Sequence, residues 1–391
     1  MSIIEHIILF SLLFGVYSFW GNYNANKSDR EFWTAALVPI LLFVFITGSR
    51  YGWGNDYLWY RVQFENTWMI TDQAVFKWLN QFLNNIGLNY VGGFMVYASI
   101  FIVCTFVFIR SFGSQSTYMY CFLVPAVLFI STNTIRQGVG TAFVLLALVF
   151  LQNKKWIYMI IVTLIAYYIH SATMITFGIL LCSFFLLKRP VHYAVSIPLF
   201  LFFTLIYDVN NTAFLADLLE KYVSLGGKFQ SYIDNSEVWF GEDAINEIYT
   251  PGRFALIFSS LFNISIFCLG YLALKIRNDK NIVYIFNVVV AGCVIYHAAV
   301  YYEILNRMVM TLQMFYFVPV GYIFYVYFKD CQQPENHHAV LFKKLFPVGI
   351  IFIIADLVRY WGRFILLNPK ADFFWHHFND SLNPHYFIWK M

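Results

Sequence analysis

The chain has 391 residues, 60% of them hydrophobic and only 12% charged, with a mean hydropathy of +0.63. Soluble domains carry about a quarter charged residues, so this balance excludes a soluble globular protein and predicts an all-α polytopic membrane protein. The formal net charge of +4 is too small and too dispersed for a nucleic-acid-binding surface.

The first apolar run, Ile3 to Trp20, carries Glu5 and His6, lacks a basic segment before it and shows no small-x-small cleavage site. It predicts a retained span rather than a cleaved signal peptide. About twelve spans are expected in all, near 3–20, 34–49, 91–109, 118–132, 138–152, 156–169, 171–187, 191–207, 254–274, 282–302, 308–328 and 345–361, each crossing needing about 20 residues. The pair around His170 is short for two crossings, which leaves one kinked or re-entrant helix as an alternative. A single integral membrane domain over 1–391 is expected. The six cysteines form no pair in any external loop, so neither a disulfide framework nor CxxC chemistry is expected.

Basic clusters at Lys27/Arg30, Arg110, Lys154-Lys155, Lys188-Arg189, Lys275/Arg277/Lys280 and Lys329/Lys343/Lys344 fall in alternate loops. Compact basic doublets in short loops mark the cytoplasmic side, which puts both termini outside. The external face then carries a loop at about 50–90, another at about 208–252 and a tail at about 362–391.

The first of these loops opens with Gly48-Ser-Arg-Tyr-Gly-Trp-Gly-Asn-Asp-Tyr-Leu-Trp-Tyr60. Asn55 or Asp56 can cap a helix suggested by Tyr57, Tyr60 and Phe64, and the glycines permit close approach of backbone to a ligand. The plainer reading is a helix cap, an aromatic belt and an arginine that snorkels to water. Trp53, Trp59, Trp68 and Trp78 interleave with polar residues, as in a helix lying in the interface. In the second loop Phe214, Leu215, Leu218, Leu219, Tyr222 and Val223 make a helical apolar stripe ended by Gly226-Gly227. The tail aromatics, Phe373-Phe374-Trp375 and Tyr386-Phe387-Ile388-Trp389, suit membrane anchoring, with a lid that stacks on sugar rings as the alternative.

Ionisable residues inside a membrane cost about 2.5–3.5 kcal/mol each on the insertion scale, so their positions carry information. Arg136, His170, Arg253, Arg307, Arg359 and Arg363 all map to external helix ends, at the level of Arg50 and Asp56. One such arginine alone reads as structural; their convergence predicts an anion site. A guanidinium fork binds phosphate bidentately, and the hydroxyl and amide residues at 131–137 can add donors. There is no P-loop or GxGxxG context, and no nucleotide is expected on that side. A pre-activated polyprenyl-diphosphate sugar fits instead. Its acceptor hydroxyl benefits from a base, for which Asp56 and His170 are the candidates. Without HExxH or a carboxylate cluster, and with His337-His338 and His376-His377 merely adjacent, no metal and no cofactor is expected.

Arg50-Tyr-Gly-Trp-Gly-Asn-Asp-Tyr57 with Tyr60, then Asn133-Thr-Ile-Arg-Gln137, the Lys154-Lys155 turn and His170-Ser171 resemble in order and spacing the motifs of the EpsG family. Those proteins are Wzy-like polymerases of bacterial surface polysaccharides, and the resemblance runs from about residue 30 to 330. It implies a fold similar to the C-type membrane glycosyltransferases. It also implies polymerisation of undecaprenyl-diphosphate-linked oligosaccharide repeat units at the outer face of the bacterial inner membrane. By motif position it points to Arg50, Asp56, Arg136, Gln137 and His170, to which the charge pattern adds Arg307. Arg50, Arg136, Gln137 and Arg307 would hold the donor diphosphate, and Asp56 or His170 would activate the acceptor. The implied partners are the lipid-linked donor and acceptor, membrane lipid, a chain-length regulator and a flippase. A ligase that moves finished glycan to a lipid core and a flippase without bond chemistry are the alternatives.

Overall fold

Each expected apolar run falls on helix in the computed structural model, which describes residues 3–53, 56–70, 73–208, 252–300, 303–331, 337–366 and 372–376. Helices α1 (Ile3–Asn24) and α2 (Asp29–Gly48) lead into the two-residue strand β1 (Arg50–Tyr51) and the short helices α3 (Tyr57–Glu65) and α4 (Ala74–Asn85). Then follow α5 (Tyr90–Arg110), α6 (Met119–Thr132), α7 (Ile135–Gln152), α8 (Trp156–Ile169), α9 (Thr173–Leu186) and α10 (Tyr193–Leu205). The later elements are α11 (Arg253–Ile276), α12 (Lys280–Ala299), α13 (Glu303–Gln313), α14 (Phe317–Lys329), α15 (His337–Leu366) and the strand β2 (Asp372–Phe373).

Among the described residues seven helical segments are long and apolar enough to cross a membrane. They are Ile4–Asn24, α2, α5, α7, α11, α12 and Leu305–Lys329, where α13 and α14 run together. The chain is thus a helical membrane protein of the polytopic class. The remaining expected spans fall on α6, α8, α9 and α10, of only 13 or 14 residues, and on the 30-residue α15. The short runs on either side of His170 form separate helices, broken at residues 170–172. All six cysteines are free. The expected stripe at 214–227, the aromatic group at 386–389 and the cap residue Asn55 lie outside the described residues.

Two compact units divide the chain: Met1–Phe177 with Val320–Tyr325 and Leu357–Met391, and Gly178–Pro319 with Val326–Asp356. In the first, the Arg110 guanidinium at the end of α5 donates to the carbonyls of Ala25 and Lys27 and sits 4.4 Å over Phe32, fastening the α1–α2 turn. Gly48 lets α2 meet α5, since a Cβ there would stand 2.4 Å from Met95 Cγ. That close approach serves helix packing, not the ligand contact expected of the loop glycines. Residues Tyr57, Tyr60, Phe64, Tyr90, Phe94, Ile135, Val139, Ile169 and Phe374 form one buried apolar cluster joining α3, α5, α7 and the end of α8. The apolar face of α3 follows from the 57/60/64 spacing, which puts three aromatic rings on one side.

Two tail expectations are corrected here. Phe373 and Phe374 are fully buried in the protein, so they neither anchor to lipid nor offer faces to sugar rings. Their strand pairs antiparallel with β1, Arg50 opposite Phe373 and Tyr51 opposite Asp372. Trp53 is likewise buried, against His6, Phe10 and Phe373, which removes it from the expected belt; Trp59, Trp68 and Trp78 are exposed.

In the second unit the Asn287 side chain accepts from Val191 N at 2.8 Å and donates to Arg189 O at 3.0 Å, holding the turn before α10 against α12. Asp279 caps α12 by accepting from Asn281 N and Ile282 N. Arg277 reaches both carboxylate oxygens of Asp330, at 3.1 and 3.2 Å.

Candidate active site in the first unit

Helix α2 stops at Gly48, and the next two residues turn Arg50 inward on β1. Arg50 is 1% exposed. One terminal nitrogen donates to the Thr47 carbonyl, and the guanidinium lies 4.6 Å over the Phe94 ring. Among the described residues its Nε and other terminal nitrogen have no hydrogen-bond partner. Arg50 therefore does not snorkel to water: it is a buried cation with donor capacity to spare. Burial pulls its pKa from 12.5 down to about 10, against the opposing effect of Tyr57 and Tyr60 beside it. It stays charged at neutral pH.

Asp56 occupies the N-cap position of α3, where its carbonyl accepts from Tyr60 N at 3.0 Å. Its half-buried carboxylate makes no capping hydrogen bond. One turn on, Tyr60 is buried and sits 5.7 Å beneath the Arg136 guanidinium. Tyr60 is thus flanked by Arg50 and Arg136 together. Among the described residues the buried Arg136 Nε has no hydrogen-bond partner.

Arg136 is the second residue of α7, and Gln137 beside it is buried. The helix breaks just before, at residues 133–134, between α6 and α7. Asn133 and Arg136 therefore do not share a continuous helix. The hydroxyls of Ser131, Thr132 and Thr134 donate to Leu128 O, Leu128 O and Ile130 O. As donors they serve the end of α6, not an anion beside Arg136.

His170 follows α8 in an extended conformation (φ −157°, ψ 105°). Its N–H donates to Ala166 O at 2.9 Å and its carbonyl accepts from Thr173 Oγ1 at 2.6 Å. Gly140 fixes where this residue lies. A Cβ there would come 2.7 Å from Thr173 Cγ2 and 3.3 Å from His170 Cβ. Gly140 is four residues after Arg136 and so on the same face of α7. His170 and Arg136 thus border one face of one helix, about a turn apart.

The structure places Arg50 and Arg136 by Tyr60, Asp56 at the start of the helix that carries Tyr60, Gln137 buried next to Arg136, and His170 against Gly140, one turn along α7 from Arg136. Arg307 lies in the second unit on α13, where its carbonyl accepts from Thr311 Oγ1 at 2.8 Å. The arrangement in the first unit is built without it. Sequence reasoning passed over Arg61, which pairs with Glu65 at 3.2 Å and covers the Tyr90 ring at 4.5 Å; the i,i+4 spacing was the available signal. Among the described residues no group of three His, Cys, Asp or Glu is arranged to hold a metal ion. The arrangement can grip an anion between two guanidinium groups, with an imidazole and a carboxylate close by to move a proton.

The family model of the EpsG family matches residues 33–360, which carries the match past the expected limit near 330 and through most of α15. No curated protein and no solved structure matches the chain.

Proposed function

The chain belongs to the EpsG family, whose members are Wzy-like polysaccharide polymerases, and from that premise we propose that it joins undecaprenyl-diphosphate-linked oligosaccharide repeat units into O-antigen or exopolysaccharide. The reaction takes place at the outer face of the bacterial inner membrane. The observation that carries this reading is the buried Arg50, with two unpartnered guanidinium nitrogens, sharing Tyr60 with Arg136. Charged groups left short of partners inside a protein are costly, and a diphosphate supplies what these two lack.

In this reading Arg50 and Arg136, with Gln137 adjoining, bind the donor diphosphate. A non-reducing-end hydroxyl of the acceptor repeat attacks the anomeric carbon of the donor glycan. The bond from that carbon to the phosphate oxygen breaks, and the undecaprenyl diphosphate leaves with the electron pair. His170 or Asp56 takes the hydroxyl proton. The arginines act on charge that develops as the diphosphate departs, which is where fixed donors accelerate a reaction most.

Purified protein given a defined lipid-linked repeat should produce a ladder of longer lipid-linked chains. Units that cross a proteoliposome membrane unlengthened would make it a flippase, and transfer to a lipid core would make it a ligase. The same assay tests the His170 placement through Gly140. In Gly140→Ala the new methyl must displace Thr173 or His170, an overpacking of about 1–3 kcal/mol. We expect the rate per molecule in the membrane to fall about tenfold, since small misplacements of a reacting group carry losses of that order. An unchanged rate would separate His170 from the site.

A further inference from the structure

We infer that the two ends of the chain form a clasp that positions Arg50, with Glu5 as its positioning residue. The inference rests on the reading of Arg50 as a diphosphate ligand.

Arg50 needs outside help to hold its aim. Among the described residues its guanidinium donates one hydrogen bond, to Thr47 O, so the direction of the side chain depends on the backbone that carries it. That backbone pairs with the tail, Arg50 opposite Phe373, and Phe374 N donates to Ser49 O at 2.8 Å. A pair of two-residue strands is marginal alone.

What secures it comes from α1. Glu5 Oε1 accepts from the Trp375 indole at 2.8 Å, and Glu5 Oε2 lies 2.7 Å from His376 Nε2. Trp375 stacks on Phe373 with centroids 4.4 Å apart and planes 4° from parallel, and on Phe45 of α2 at 5.6 Å and 8°. Phe373 in turn packs on His6 of α1 at 4.8 Å and on Trp53 at 5.2 Å. One carboxylate therefore holds two successive tail residues, and the tail holds the strand that carries the arginine. Glu5 and residues 372–376 both fall outside the 33–360 family match.

The test uses full-length protein and two readouts. In a variant lacking the native cysteines, Tyr51→Cys with Asp372→Cys should form a disulfide, because directly opposed strand residues stand within bridging distance. Absence of that crosslink would overturn the clasp. In the lipid-linked repeat assay, Glu5→Ala should lower kcat about tenfold with KM little changed, as expected when a transition-state contact is misaimed. Glu5→Gln, which keeps an acceptor for the Trp375 indole, should recover most of it. Loss of protein from the membrane with unchanged kcat per molecule, or equal loss in the Gln variant, would make Glu5 merely structural and sink the inference. Arg50→Lys separates the two readings. If it is inactive while Glu5→Ala is normal, only the clasp falls; if it is fully active, the diphosphate reading falls and takes the clasp with it.

Discussion

Replacing Arg136 with lysine should leave protein level and membrane insertion intact while cutting polymerisation per molecule about 100- to 1,000-fold, the loss typical of one removed oxyanion donor. Arg136 opens α7 with its Nε unpartnered and its guanidinium above Tyr60. Lysine restores the charge but not the planar fork that can span two phosphate oxygens. It also removes the guanidinium that stands 5.7 Å over the Tyr60 ring. Alanine should be worse, since charge and fork both go. The measurement is chain length on the surface glycan, normalised to the amount of protein in the membrane. Near-normal polymer from Arg136→Lys would remove this residue from the site.

Arg50→Met should abolish activity on a similar scale yet leave the fold as stable as before or more so. Arg50 is fully buried over Phe94, and two of its three guanidinium nitrogens have no partner. Exchanging a buried, poorly satisfied charge for an apolar side chain of similar volume is often neutral or stabilising, by about 1–4 kcal/mol. A residue kept for folding gives the opposite pattern. Thermal unfolding of the detergent-solubilised protein, run beside the repeat-unit assay, distinguishes them. A lower Tm with a proportionate loss of activity would make Arg50 a packing residue. An unchanged or higher Tm with no ladder marks strain held at a working site.

Helices were legible because apolar runs must hydrogen-bond internally in lipid, and the chain writes those runs openly. Helix α3 was legible from Tyr57, Tyr60 and Phe64, whose spacing shows one face, and the position of Asp56 at its start followed. The surroundings of Arg50 were not. An arginine at the end of an apolar run looks the same in sequence whether it meets water or an aromatic cavity. Its strand partner, Phe373, lies at the far end of the chain, and no local pattern announces such a pairing. Trp53 misled for the same reason, because its burial depends on His6 and Phe10 from one terminus and Phe373 from the other. The break before α7 was legible from the gap between the expected spans 118–132 and 138–152, but the work of the residues in Ser131-Thr132-Asn133-Thr134 was not. Hydroxyl residues there suit an anion site as well as they suit the end of a helix, and three of them serve the helix.

The two helices that end at the candidate site, α6 before Asn133 and α8 before His170, have 14 residues each. Such a helix rises about 21 Å, against a hydrocarbon thickness of about 30 Å. Where they traverse the bilayer, either the acyl chains beside them shorten or the helix ends stay recessed, by about 9 Å, beneath the headgroups. Thinning brings the interfacial plane down to these helix ends, and recession leaves the ends at the depth of the acyl chains. A polyprenol whose isoprenes remain in the leaflet could then slide its diphosphate in laterally, without being lifted into water. Lipid thickness becomes a term in substrate access, set by helices too short to ignore it.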